Sequence, residues 1–191
     1  MREDRIKDAV SHRPAHLRLT APSPWVVRFA PLVPAAAAVL DLACGGGRHT
    51  RFFLARGHPV TAIDRDLEWL DPPDGTPGLT RIEADLESDA PWPVGEARFG
   101  AVVVTNYLYR PLFPRLIGAL APEGVLIYET FATGNERFGR PRNPDHLLRP
   151  GELIEAVRER LRVVAYEETE VSAPKPARIQ RICAVSPDRQ R

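Results

Sequence analysis

Short apolar runs recur along the chain from residue 39 onward, and segments with helical spacing of apolar residues separate most of them. These runs predict strands over residues 39–44, 59–64, 79–85, 100–106, 125–131, 162–171 and 177–185. The segments between them predict helices over 48–56, 112–120 and 151–161, with one helical turn over 66–70. Upstream, Trp25, Val26 and Phe29 predict a short lead-in helix that ends near Pro31. Alternation of this kind is typical of a parallel sheet covered by helices.

The last two predicted strands follow each other with only a Pro-rich turn, residues 173–176, between them. A direct connection of this kind predicts antiparallel pairing, because parallel neighbours need a longer crossover. We therefore expect an α/β fold with a doubly wound, seven-stranded, mostly parallel Rossmann-like sheet and an antiparallel C-terminal edge strand. The 191 residues are the usual length of one domain.

Composition narrows the class of protein without naming a partner. The chain is 43% hydrophobic and 27% charged, with 26 basic against 25 acidic residues, which excludes disorder throughout and gives no global charge that favours nucleic acid. Cys44 and Cys183 stand alone, so neither a zinc site nor a disulfide framework is predicted, and a reducing cytoplasm is expected. The charged first eight residues lack the apolar region of a signal peptide, and residues 29–40 are too short to span a membrane.

The candidate ligand-binding residues follow the predicted strands. In a doubly wound sheet, ligands bind outside the carboxyl ends of the strands, where strand order reverses. Gly45–Gly47 follow the first strand and would let a ligand approach the backbone, with outward N–H groups. Asp64 ends the second strand and can accept two ribose hydroxyls, while Asp85 ends the third. A plain turn explains the glycines alone and a cap explains either aspartate alone, but together they favour a nucleoside.

Residues 39–48, VLDLACGGGR, together with 54–64, LARGHPVTAID, resemble the opening of class I S-adenosylmethionine-dependent methyltransferases. Within that family they are most similar to small bacterial tellurite-resistance methyltransferase-like members. The resemblance is specific over residues 39–64 and extends to Phe131, and residues 134–141 resemble a loop of unassigned small bacterial methyltransferases. It implies S-adenosyl-L-methionine as cofactor, S-adenosyl-L-homocysteine as product, and in-line transfer of the sulfonium methyl to a small-molecule acceptor.

The resemblance also assigns roles to residues. Asp64 would bind the ribose, and Asp85 with the backbone N–H of Leu86 would hold adenine. The full predicted cofactor set is Asp41, Ala43, Cys44, Gly45, Gly47, Asp64, Arg65, Asp85, Leu86 and Asn106. Ala43 replaces the first glycine of the family's acidic-x-Gly-x-Gly-x-Gly loop, which is tolerable if its φ is negative. Residues 1–38 would then be a lead-in region, 39–131 the cofactor-binding half, and 132–191 the acceptor loop with the C-terminal strands.

Position along the chain selects the acceptor residues. The candidate catalytic groups are Tyr107, Glu129 and His146, and the candidate substrate contacts are Trp25, Tyr109, Arg137 and Arg140. Each has an ordinary alternative: pocket lining for the tyrosines, an ion pair for Glu129, core packing for Trp25 and solvent exposure for the loop residues. The Arg-rich loop 132–149 would hold an anionic small molecule or an RNA phosphate if it binds a ligand at all.

The sequence leaves other functions open. A methyltransferase acting on RNA or protein is the main alternative, although Asn106-Tyr107-Leu108 lacks the Asn/Asp-Pro-Pro-aromatic motif of many nucleobase enzymes. An NAD-dependent oxidoreductase is disfavoured because Thr50 stands where the dinucleotide motif has a small residue. A non-catalytic binder of S-adenosylmethionine is a third alternative. We expect a monomer or homodimer, with no metal and no membrane contact.

Overall fold

One seven-stranded sheet organises the protein in the computed structural model, which describes residues 19–187. Its strands are β1 (Val39–Leu42), β2 (Val60–Asp64), β3 (Leu79–Glu83), β4 (Phe99–Thr105), β5 (Leu120–Phe131), β6 (Arg162–Val171) and β7 (Ala177–Val185). They lie in the order β3-β2-β1-β4-β5-β7-β6. The chain moves from β1 toward β3 on one side and from β4 toward β6 on the other, so strand order reverses between β1 and β4.

The pairing confirms the predicted mostly parallel sheet with an antiparallel C-terminal strand. Pairs β1–β2, β1–β4, β2–β3 and β4–β5 are parallel. Strand β7 runs antiparallel to both of its neighbours, with Tyr128 opposite Ile182 on β5 and Tyr166 opposite Ile182 on β6. The antiparallel strand therefore lies one place inside the sheet, and β6 forms the edge.

Within residues 19–187, four short α-helices connect or cover the strands: α1 (Pro24–Phe29), α2 (Arg48–Leu54), α3 (Phe113–Gly118) and α4 (Glu152–Val157). Ser23 caps α1 by accepting a hydrogen bond from the Trp25 N–H, and Pro24 fits the first helical position. The predicted helical turn over 66–70 does not form an α-helix. It is a turn with one backbone hydrogen bond, in which the Leu70 N–H donates to the Leu67 carbonyl at 3.2 Å. The predicted helix over 112–120 ends earlier, because Leu120 pairs with Phe99 and starts β5.

Apolar side chains pack on both faces of the sheet. One cluster joins α1 and α2 to the sheet through Trp25, Phe29 and Phe53. The other joins α3 and α4 to the opposite face through Leu116 and Leu153. The two central strands β1 and β4 are buried almost throughout, which leaves their carboxyl ends as the accessible polar part. Within residues 19–187, no helix has the length and apolar character needed to cross a membrane.

Candidate active site

Two backbone N–H groups of the glycine loop after β1 donate hydrogen bonds to acceptors inside the protein. Gly45 N–H donates to Asp64 Oδ2 at 2.8 Å, and Gly47 N–H donates to the Cys44 carbonyl at 2.9 Å. The prediction that these N–H groups point outward to a ligand is therefore wrong for both glycines. The loop is instead tied to the end of β2, which brings Gly45 and the predicted ribose-binding carboxylate together.

Three loop positions, Ala43, Gly45 and Gly47, have left-handed backbone that the sequence did not predict. Ala43 has a φ of 53°, which contradicts the negative φ expected there, and an L-residue in this region costs about 1–2 kcal/mol. At Gly47, with a φ of 75°, a Cβ atom would lie 2.5 Å from both Asp71 O and Leu70 Cδ1. Gly47 is therefore required for close packing against the loop after β2, independent of any ligand.

Asp41 and Cys44 lie beneath the loop. Asp41 is 2% exposed and accepts a hydrogen bond from Thr50 Oγ1 at 2.6 Å, and burial raises its pKa to about 6. The carboxylate is turned to α2 and has almost no exposed surface, and its cofactor contact stays a prediction. The Cys44 thiol is also buried, and burial raises its pKa, so it stays protonated. Both residues support the loop from below.

Asp64 is half-buried at the end of β2, beside the glycine loop. Its Oδ2 accepts from Gly45, and its Oδ1 accepts from the Asp66 N–H at 3.3 Å. Each carboxylate oxygen keeps a second lone pair, so hydroxyl donors can still bind. Arg65 next to it is exposed and has no polar side-chain contact within residues 19–187. Asp64 is therefore fixed in position by the loop that it stabilises.

Asp85, Leu86 and Tyr109 line one cleft of about 130 Å³ together with Trp92. Asp85 is exposed after β3, and its Oδ1 accepts from the Glu87 N–H at 2.9 Å. Leu86 is half-buried against the core cluster that contains α3. Asp85 and Leu86, which are predicted to bind adenine, and Tyr109, which is a predicted substrate contact, thus line the same cleft.

Directly after β4 lie Asn106, which is predicted to bind the cofactor, and Tyr107, which is a predicted catalytic group. Asn106 has a φ of 57°, a region that asparagine tolerates, and its N–H donates to the Glu129 carbonyl at 2.9 Å. The buried Tyr128 hydroxyl donates to the Tyr107 carbonyl at 2.9 Å and fixes this segment from below. The Tyr107 hydroxyl is buried without a hydrogen bond, and burial, with the nearby Glu87 carboxylate, raises its pKa. Tyr107 therefore stays protonated at neutral pH and can donate but not accept a proton.

Glu129, at the end of β5, has both carboxylate oxygens engaged. Oε1 accepts from Ser23 Oγ at 2.8 Å, and Oε2 accepts from Arg181 Nη1 at 3.3 Å. Arg181 lies opposite Glu129 on β7 and also binds Glu167 at 2.5 Å. Glu129 thus belongs to an ion-pair cluster, which was the alternative to its predicted role as a proton acceptor.

A buried polar chain, which the sequence did not predict, links α2 to Glu129. The Ser23 N–H donates to His49 Nε2 at 3.1 Å, while the Ser23 hydroxyl donates to Glu129. Burial, together with the positive charges of Arg48 and Arg51, lowers the pKa of His49 to about 3, so the ring is neutral. Ser23 before Pro24 is the sequence signal for a helix cap, but nothing in the sequence pairs it with residues 49 and 129.

Trp25 is 1% exposed and packs in the core cluster that contains α1, with the Arg181 guanidinium 4.6 Å from the centre of its ring. The indole has almost no exposed surface, and its substrate contact stays a prediction. The core packing that the sequence left open as the alternative is what the structure shows.

The Arg-rich loop 132–149 is anchored to the sheet. Asn135, which is 1% exposed, donates to the Pro141 carbonyl and accepts from the Arg178 N–H. Arg137 binds Glu170 on β6 at 2.5 Å in an exposed ion pair, and its substrate role stays a prediction. Arg140 and His146 are exposed, and neither side chain makes a polar contact within residues 19–187. No cluster of three or more His, Cys, Asp or Glu in that range could hold a metal ion.

The sequence matches no known family model and no curated protein. Solved structures do match. TehB from Haemophilus influenzae has a TM-score of 0.71 and 16% identity over 88% of this chain, which spans 63% of the length of TehB. The Burkholderia thailandensis 1,6-didemethyltoxoflavin-N1-methyltransferase, with bound 1,6-didemethyltoxoflavin and S-adenosylhomocysteine, has a TM-score of 0.61 and 22% identity over 96% of this chain and 83% of its own.

A TehB-like S-adenosylmethionine-dependent methyltransferase from Corynebacterium glutamicum has a TM-score of 0.61 and 17% identity, covering 96% of this chain and 95% of its own. Identities this low establish a shared fold rather than a shared reaction. The sheet order, the antiparallel β7 and these structural matches agree with one another. The chain therefore has the Rossmann-like fold of class I S-adenosylmethionine-dependent methyltransferases.

Proposed function

We propose that this protein is an S-adenosylmethionine-dependent methyltransferase that acts on a small molecule. The observation that carries the proposal is the arrangement at the strand-order reversal, where the glycine loop after β1 is hydrogen-bonded to Asp64 at the end of β2. Asp85 and Leu86 line a cleft after β3, and Asn106 ends β4. These are the places where this type of sheet binds nucleosides.

The residues fit S-adenosylmethionine better than a dinucleotide. A pyrophosphate would need free backbone N–H groups at the glycine loop, but those of Gly45 and Gly47 are engaged inside the protein. Thr50 is fully buried and bound to Asp41, where the dinucleotide motif needs a small residue. A ribose needs only a fixed carboxylate, which Asp64 provides.

S-adenosylmethionine, when bound, supplies a methyl group that is electrophilic without further activation. The task of the protein is then to hold the acceptor in line and to exclude water, and such positioning accounts for about 7–11 kcal/mol of barrier lowering. Tyr107 stays protonated and can orient an acceptor atom by donating a hydrogen bond. Glu129 is held by Ser23 and Arg181, and we propose that it orients the acceptor rather than removing its proton.

A small-molecule acceptor is supported by the near-neutral net charge of +1, which gives no overall electrostatic attraction to a nucleic acid. The Burkholderia thailandensis neighbour holds a small-molecule acceptor beside the cofactor product. Cys44 and Cys183 are both buried thiols, which supports the cytoplasmic location that we propose.

Calorimetric titration with S-adenosylmethionine, S-adenosylhomocysteine and NAD tests the proposal. We expect the first two to bind with micromolar dissociation constants, about −8 kcal/mol, and NAD not to bind. Binding of NAD alone would overturn the proposal. Binding of the two adenosyl ligands then justifies a screen of small acceptors for methyl transfer from labelled cofactor.

A further inference from the structure

Arg51, on α2, joins three segments of the chain that are far apart in sequence. Its Nη1 donates to the Gly46 carbonyl at 2.9 Å and to the Asp71 carbonyl at 2.8 Å. Its Nη2 donates to the Thr20 carbonyl at 3.3 Å, and its backbone N–H donates to the Gly47 carbonyl at 2.9 Å. One residue therefore ties the glycine loop to the loop after β2, which comprises residues 65–78.

The loop after β2 packs directly on the glycine loop. Leu67 and Leu70 are buried in one apolar cluster with Cys44. On the other side of the contact, a Cβ atom on Gly47 would lie 2.5 Å from the Asp71 carbonyl oxygen. Backbone carbonyls at so close a contact need hydrogen-bond donors, because water has little access to them. The Arg51 guanidinium supplies such donors from α2.

The same contacts enclose the Asp64 carboxylate. Its Oδ2 accepts from the Gly45 N–H at 2.8 Å, and its Oδ1 accepts from the Asp66 N–H at 3.3 Å. Asp66 begins the stretch of chain that ends on Arg51, and Arg51 returns to the glycine loop. A closed series of contacts results, which we call the Asp64 contact ring; it consists of Asp64, residues 66–71, Arg51 and residues 45–46.

A second arginine holds the loop after β2, and its hydrogen bonds within residues 19–187 do not include the glycine loop. Arg81 Nη2 donates to the Leu67 carbonyl at 2.8 Å, and its Nη1 donates to the Pro72 carbonyl at 3.4 Å. The ion pair of Arg51 with the Asp71 carboxylate, whose side chain is 66% exposed, adds little stability. We therefore expect loss of Arg51 to leave the loop after β2 folded and to cut its link to the glycine loop.

We propose that Arg51 is a positioning residue that fixes the Asp64 carboxylate for the two hydroxyls of a bound ribose. The inference rests on the proposed function, in which Asp64 binds the ribose of the cofactor. Arg51 acts through the Gly46 and Asp71 carbonyls, which close the Asp64 contact ring. A carboxylate that is held in place before binding loses less freedom when the ligand arrives, and this raises affinity.

The test measures how strongly the protein prefers adenosine to 2′,3′-dideoxyadenosine, which lacks both ribose hydroxyls. We expect the wild type to bind adenosine about tenfold or more tightly, because a fixed carboxylate accepts hydrogen bonds from the hydroxyls. R51Q should lose most of this preference. R51K should fall between the two, since its ammonium can still donate to a carbonyl.

The matched control is R56Q. Arg56 is exposed directly after α2, and its guanidinium makes its contacts within residues 19–187 with Phe52. This variant removes the same charge from the same part of the chain without opening the Asp64 contact ring. We expect R56Q to keep the wild-type preference for adenosine.

A merely structural role of Arg51 predicts a different result. Urea unfolding of R51Q would show lower stability, while the folded variant kept its preference for adenosine, and that result overturns the proposal. A wild type that binds S-adenosylhomocysteine but does not distinguish adenosine from 2′,3′-dideoxyadenosine also overturns it. A wild type that binds neither S-adenosylhomocysteine nor adenosine defeats the proposed function, and the inference falls with it.

A second measurement uses only the wild type, in case R51Q does not fold. Hydrogen exchange followed by mass spectrometry reports residues 43–47 and residues 66–71 separately. Because the Asp64 contact ring joins both segments, we expect adenosine to slow exchange in both, and 2′,3′-dideoxyadenosine at equal occupancy to slow it less. Slowing confined to one segment, or equal exchange with the two nucleosides, overturns the proposal.

Discussion

At the scale of single residues, Asp64 has two tasks in the structure, since it holds the glycine loop and faces the proposed ribose position. Replacing Asp64 by Ala removes charged hydrogen bonds, so we expect binding of S-adenosylhomocysteine to weaken by about 1.5–3 kcal/mol. Calorimetry on D64A and D66A checks this, because Asp66 is an exposed neighbour whose side chain binds only the Glu68 N–H. A folded D64A with unchanged affinity would remove the ribose assignment.

Ala43 is a second residue-scale case, because its backbone has a conformation that glycine adopts freely. The substitution A43G releases about 1–2 kcal/mol of left-handed strain and adds about 0.5–1 kcal/mol of chain entropy in the unfolded state. We therefore expect the free energy of unfolding to rise by up to about 1 kcal/mol in urea titrations. The control A35G lies in an exposed turn without positive φ and should lower it. Equal losses in both variants would show that Ala43 is unstrained.

Residue roles were harder to predict than residue positions. The sequence places Asp41, Gly47 and Asp64 correctly at strand ends and loop, but it cannot show which way a carboxylate or an N–H points. Asp41 turns to Thr50 and Gly47 meets Asp71, and both outcomes depend on segments that come together only in the fold. The same holds for Arg137, whose partner Glu170 is on another strand.

At the scale of elements, the predicted strands are close to those observed. β1, β4 and β7 are mainly apolar runs with buried side chains, whereas the two edge strands β3 and β6 are partly exposed. The ends differ where pairing overrides local preference. β5 starts at Leu120 because it pairs with Phe99, although residues 121–124 read as a turn. The helices are shorter than predicted, since the stretches that extend the apolar spacing are used as loops.

The loop 132–149 depends on Asn135, which joins Pro141 of the loop to Arg178 of β7. The substitution N135A leaves a partly buried carbonyl and a partly buried N–H without their partner, so we expect the free energy of unfolding to fall by about 1–3 kcal/mol. Urea unfolding measures this, and trypsin cleavage after Arg142 should become faster. Asn143 caps only the exposed Asp145 N–H, so N143A is the control and should cost less. Equal effects would contradict the anchoring role.

At the scale of the whole molecule, two buried groups give opposite pH dependences of stability. The pKa of His49 falls to about 3 in the folded state, so the stability it contributes is present above pH 6.5 and is lost as pH falls. The pKa of Asp41 rises to about 6, so its contribution is present below pH 3.8 and is lost as pH rises through 6. Between about pH 4 and 6 the two slopes, each about 1.4 kcal/mol per pH unit, oppose each other.

Replacing either His49 or Asp41 should expose the pH dependence of stability that the other residue contributes. We expect the stability of H49Q, relative to wild type, to fall as pH rises from 4 to 6, and that of D41N to fall as pH is lowered over the same range. Urea unfolding at several pH values measures both, with H146Q as a control on the exposed loop. Parallel curves for the wild type and both variants would show that neither group titrates as its burial implies.

Strand β7 is the last strand in chain order, yet it lies between β5 and β6. During synthesis the amino-terminal part of a chain leaves the ribosome first and can begin to fold. Here β5 then has one unpaired edge, and β6 has no neighbour, until residues 177–185 have emerged. The sheet therefore stays incomplete while the first six strands are translated. A chain stalled before β7 therefore presents open strand edges, at which another chain can pair and aggregate until residues 177–185 emerge.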